Sequence, residues 1–302
     1  MTLRTVIAAF LACIAIPVHA CEDEWVRLLN VLEIEEINHA AATRANEHGC
    51  QITDVALAVD RAVLRVDSIR WLVPGLSLAF DGRAVPRMVE FEIENGRYIP
   101  SIDDPVMDYL FDVQSKRAGI DAFFRAYWDE PNDTIWLENL RANFPGENSV
   151  LVSAEIGNVD LRTPETAAQS LSQFGLKNLK LGIESKGLFE TYFIFTLGQA
   201  LLDGSTDPEA DIAHMIAQSL AIIQTLPNAT FDHETRANLA RLVTDMPNPY
   251  GTIQLELNAI DGLGPSPFID LWENEPHTSS NDIWSILSGT EIDIRYDQEA
   301  AN

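Results

Sequence analysis

Long apolar runs are scarce in this chain. The one sustained run, VIAAFLACIAI at residues 6–16, falls short of the roughly 20 residues that a helix needs to cross a bilayer. The next candidate, LFETYFIFTLGQALL at 188–202, is interrupted by Glu190, Gly198 and Gln199, so nothing beyond the N-terminus reads as a membrane span. Basic residues are scarce as well, 20 Lys and Arg against 46 Asp and Glu, for a formal net charge of −26. Nucleic-acid binders neutralise phosphates with basic patches, so DNA and RNA are excluded as partners. The same charge repels anionic lipid headgroups. Cysteine is rarer still, at three residues, which excludes a disulfide-dense scaffold.

Catalytic signatures are missing too. The chain has no GxSxG elbow, no phosphate-binding P-loop and no GxGxxG, each of which supplies a specific backbone geometry to its chemistry. His233 and Glu234 begin a zinc-type HExxH, but position 237 is Ala and the second ligand is lost; the stretch reads better as a helix capped by Asp232. Glu36 with His39, and Asp211 with His214, each set an acid three residues before a histidine, on one face if helical. In so acidic a chain, chance accounts for two such pairs. Asp203, Ser205 and Asp207 begin like a calcium loop, which wants Gly at its sixth position and Glu at its twelfth. Pro208 and His214 stand there instead. No cofactor and no metal is called for.

The chain opens with one cation, Arg4, then the apolar run, then PVHA ending in a small residue. That is the order of a secretory signal peptide over residues 1–20. Cleavage after Ala20 makes Cys21 the first residue of an exported, periplasmic protein. Two fates are open to it. Cys13 leaves with the signal, so Cys21 and Cys50 are the pair left to form a disulfide in an oxidising compartment. Alternatively, VHAC serves as an imperfect lipobox, Cys21 carries a lipid, and a membrane becomes a partner by that anchor alone. A bridge requires Cα atoms within about 7 Å. A single helix over the intervening residues would separate them by roughly 40 Å, so the segment must turn back on itself.

Alternation of apolar and polar residues dominates the chain from Val55 to residue 160, the mark of antiparallel strands with one wet face. Val55, Leu57 and Val59 alternate with other residues between Asp54 and Asp60, and Val89, Phe91 and Ile93 alternate with glutamates. Residues 120–160 read as a three-stranded meander joined by DEPND and PGEN, loops of hairpin composition. Its inward residues are Ile120, Ala122, Phe124, Ala126 and Trp128; then Trp136, Leu140, Ala142 and Phe144; then Val150, Val152, Ala154 and Ile156. From Thr163 the texture becomes helical: a helix from TPETAAQ, a strand at LKLGIES, helices in LFETYFIFTLGQALLDG, DPEADIAHMIAQSLAIIQTLP and HETRANLARLVTDMP, and a short one in NDIWSILSG. TIQLELNAI and TEIDIRYD are further strands. The fold class is α+β. A β-rich region at 21–162 precedes a mixed region at 163–302, with no linker between them, so the two are expected to pack as one unit. The helices expected over 164–246 have no place in an outer-membrane barrel.

The run GLFETYFIF, the helices after it and the strands TIQLELNA and TEIDIRYD resemble those of uncharacterised exported proteins of Gram-negative bacteria, over residues 120–297. That resemblance implies export and no particular activity. Two functions of different class are expected. One is a non-catalytic envelope scaffold that meets a protein partner or holds an apolar ligand such as a lipid, with Phe189, Tyr192, Phe193 and Phe195 as candidate contacts. The other is a periplasmic hydrolase acting through paired carboxylates.

Overall fold

The computed structural model describes residues 19–44, 49–59, 62–100, 104–194, 198, 201–202, 204–265 and 287–299. Its centre is one antiparallel sheet of eleven strands. Helix α1 (His19–Leu32) leads into two short strands, β1 (Glu35–Asn38) and β2 (Ala41–Arg44). β3 (Cys50–Val59), β4 (Ala62–Leu72), a short helix α2 (Leu76–Phe80) and β5 (Met88–Pro100) come after them, then helix α3 (Pro105–Ser115). The meander is β6 (Ile120–Asp129), β7 (Thr134–Phe144) and β8 (Asn148–Gly157). Helix α4 (Pro164–Ser170) and β9 (Gly175–Ser185) come next, then a π-helical turn at Phe189–Phe193. Helices α5 (Pro208–Thr225) and α6 (His233–Thr244) precede β10 (Gly251–Leu263) and β11 (Thr290–Gln298). From β3 to β11 every strand pairs with its neighbour in sequence, while β1 and β2 both lie along β3.

The α+β class and the meander are as the sequence implies. Both halves of the chain contribute to the one sheet. The return of the chain between the cysteines is made by β1 and β2, and Cys21 and Cys50 are bridged with Cα atoms 5.5 Å apart. No helix among the described residues is long and apolar enough to cross a membrane. The expected helix NDIWSILSG lies largely outside the described residues.

One expected facing is wrong. β6 pairs Arg125 with Asn139 but Ala126 with Leu137, so β7 carries an extra residue at Glu138. This bulge shifts the alternation by one. Leu137 takes the inward place, and Trp136 turns to the other face opposite Tyr127 and Glu155.

Opposed residues of an antiparallel pair share a face, and the helices pack against one face only, at its two ends. At the N-terminal end Cys21, Trp25 and Leu29 of α1 form a core with Ile52, Val55, Ile69 and Trp71. Trp25 stacks on Trp71 with ring centroids 6.0 Å apart. At the C-terminal end Ile223, Leu226 and Phe231 cover Leu257, Ile292 and Ile294, with α6 packed along β11. Helix α6 also closes the free edge of β11. Asn238 Nδ2 donates to the Ile294 carbonyl at 2.8 Å, Thr235 Oγ1 to the Ile292 carbonyl at 3.3 Å, and the Ile292 N–H reaches the Thr230 carbonyl at 2.9 Å. The opposite margin of the sheet consists of the short β1 and β2. An open edge templates association with other chains, and both margins limit it.

Candidate functional site: an apolar sheet face between two helical caps

Across the middle of the sheet, register lines up one apolar residue from each strand. Phe91 faces Phe124, which faces Leu140, then Val152, Leu181 and Leu255. The row ends at Ile294, 6% exposed beneath the C-terminal helices. Phe91 touches the first core and Leu255 the second, but Phe124, Leu140, Val152 and Leu181 belong to neither. These four stay partly open, Leu140 at 37%. The rows on either side hold Ala122 and Ala142, and Ala126 and Ala154. Their small side chains lower the floor beside the large central residues. Strands lie about 4.8 Å apart, so β6–β9 offer an uncharged strip about 15 Å wide between the two helical caps.

The reverse face is polar. Glu90, Arg125, Asn139, Ser153, Lys180 and Glu256 succeed one another across it. Arg125 meets Glu138 at 3.1 Å and Lys180 meets Glu256 at 3.0 Å; hydrogen bonding from Lys180 holds the Glu256 carboxyl below its usual range. A depression of about 340 Å³ around Gly182 is lined by Lys180, Glu256, Asp293 and Arg295. Its charges are matched within it, since Arg295 also meets Asp293 at 2.7 Å.

The aromatic candidates gather at one end of the apolar strip. Tyr192 packs its ring 5.0 Å from Phe144, which lies on the apolar face two residues beyond Ala142. Phe189 and Phe193 are 5.6 Å apart. Burial raises the Tyr192 phenol pKa above its ordinary value. Phe195 lies outside the described residues. The strip itself is the feature that sequence reasoning missed. Its signal is present in the chain, as alternating strands too numerous for the helices available to cover them.

The acid–histidine pairs have structural partners. His39 Nδ1 meets Glu36 at 2.8 Å, and its Nε2 meets Glu22 of α1 at 3.3 Å. Trp25 donates to the same Glu36 carboxylate at 3.0 Å, so the cluster ties α1 to β1. His214 pairs with Gln218, and Asp211 accepts from Ser205. Asp207 caps α5. Asp232 caps α6 by accepting from the Thr235 N–H at 2.7 Å, which holds its carboxyl below the usual range. Among the described residues, no group of three or more His, Cys, Asp or Glu could hold a metal ion.

Compared with known proteins, the chain matches no family model and no curated sequence.

Proposed function

We propose that this is an exported, non-catalytic envelope protein that holds an apolar, chain-like ligand of lipid character on the central face of its sheet. One observation carries this reading: Phe124, Leu140, Val152 and Leu181 are aligned across four strands and left outside both cores. Burying exposed apolar area is favourable at roughly 25 cal/mol per Å², and an uncharged strip gains it from a hydrocarbon chain without desolvating any charge. A ligand lying along strands of 10–11 residues has about 33 Å of floor. Phe144 and Tyr192 stand at one end of it.

Export is supported by the signal-like residues 1–20, and the Cys21–Cys50 bridge suits an oxidising compartment. A bridged Cys21 has no free sulfur for a lipid, so attachment through Cys21 requires a different state of the protein. The alternative of a hydrolase acting through carboxylates draws little support from Glu256 and Asp232. Both are pushed towards the ionised form, opposite to what a proton donor needs.

Organic extraction of natively purified protein, followed by mass spectrometry, tests the ligand. A stoichiometric lipid or other long-chain molecule is expected. Clean extracts, together with no binding of a fluorescent long-chain probe, would overturn the reading.

A further inference from the structure

Helix α3 is inside out. Its solvent side carries Val106, Met107, Tyr109, Leu110 and Val113, with Val106 68% and Tyr109 67% exposed. Its protein side carries Asp108, Phe111, Asp112 and Ser115, all partly or fully buried. Asp112 is held there by Arg65 at 3.2 Å and Lys116 at 3.4 Å. A surface helix ordinarily turns its apolar stripe inward. Contiguous exposed apolar area marks a surface made to be covered. Nothing in the helix itself requires this orientation: Asp104 caps it through the Val106 and Met107 N–H groups, and Pro105 stands in its first turn.

The location narrows what covers it. Helix α3 joins the end of β5 to the start of β6, and the Phe189–Phe193 turn comes after the end of β9. Register places both at the same end of the sheet. Phe193 and Ile194 are also exposed there, as is Tyr98 on β5. The opposite end is polar, held by the ion pairs Arg87–Glu130 at 2.7 Å and Arg162–Asp133 at 2.7 Å. The molecule thus has one greasy end, where the apolar strip also opens.

Charge chooses among occupants. At −26, a second copy of the chain and an anionic bilayer are both repelled. A cationic protein would find no acid to pair with on the patch, since Asp108 and Asp112 face inward. We infer that this end of the protein, led by the outward face of α3, docks on the surface of a lipid layer with no net charge. Val106, Tyr109 and Leu110 enter the headgroup–acyl boundary, as amphipathic helices do, and the open end of the apolar strip is brought against the hydrocarbon. Contact requires no lipid on Cys21.

Flotation of the bridged, unlipidated protein with phosphatidylcholine vesicles tests this. The protein is expected to float with the vesicles. Leu110→Asp should weaken that partition by about tenfold to a hundredfold, with an unchanged melting curve because the site is exposed. Adding phosphatidylglycerol should weaken it further, most at low salt. The inference is overturned if the wild-type protein stays with the unbound fraction, if Leu110→Asp floats as well as wild type, or if sedimentation shows a wild-type dimer that Leu110→Asp splits. Docking goes beyond the ligand reading and is read separately: binding of a soluble long-chain probe without vesicles should be the same in Leu110→Asp as in wild type.

Discussion

Replacing Cys21 and Cys50 together by alanine removes the bridge while leaving most of what holds α1 in the native state. Trp25 still stacks on Trp71. Trp25 still donates to Glu36 and Trp71 to Glu24, each at 3.0 Å. The loss therefore falls on the unfolded chain, which regains the freedom of a loop closed at a separation of 29 residues. Loop-closure entropy puts this at about 3.6 kcal/mol, a large part of a typical total of about 5–15 kcal/mol. At roughly 2–4 °C per kcal/mol for a chain of this class, the melting temperature should fall by roughly 7–14 °C. Urea titration should show a lower midpoint and a steeper slope, because the unbridged chain exposes more surface. Intact mass of the wild-type protein should rise by about 2 Da on reduction, one hydrogen per sulfur. A loss of stability under about 1 kcal/mol, or two thiols that react in the native protein, would refute the reasoning. A lipidated Cys21 would announce itself by its mass and by a free Cys50.

Three further changes probe other links. Val152→Glu places a carboxylate in the middle of the apolar strip and should abolish binding of a long-chain probe, with little change in melting because the residue packs in neither core; titration of the probe by fluorescence checks it. Asn238→Ala leaves the buried Ile294 carbonyl without the donor it has at 2.8 Å, which should cost about 1–3 kcal/mol and promote concentration-dependent association through β11, read by light scattering. The Tyr296 phenol, buried and donating to Asp245 at 2.8 Å, has its pKa pushed up from 10.0 to about 12. The unfolded state therefore loses this proton first. Stability from Tyr296 is complete below pH about 10 and drains away as pH rises towards about 12. Phenolate absorbance should show one late-titrating tyrosine that Tyr296→Phe removes.

The meander was legible because short Asp-, Asn- and Pro-rich turns separate strands with a strict period of two. The facing of Trp136 was not, because a bulge is a matter of pairing register and leaves no mark on composition. β4 escaped notice for a related reason: Val66, Ser68, Ile69 and Trp71 are all buried, so the alternation that identifies a half-wet strand breaks in its middle. Helix α3 did carry a start signal, Asp104 with Pro105 after it. Its apolar residues read as core material, and sequence does not say which side of a helix faces water. For Cys21 the sequence left two fates open, and geometry chose the bridge.

The order of the strands also sets an order of events. Because β3 to β9 each pair with the strand just made, a chain emerging N-terminus first can close every hairpin from local residues, at small loop cost. β10 differs. It meets β9 only after residues 186–250, with α5 and α6, have been delivered, so Gly251–Leu263 must search across a long intervening segment. Folding speed falls as such distant pairings grow in weight. Until β10 arrives, β9 is an open edge with its apolar side uncovered, and this is the interval in which a chaperone would have the most to hold.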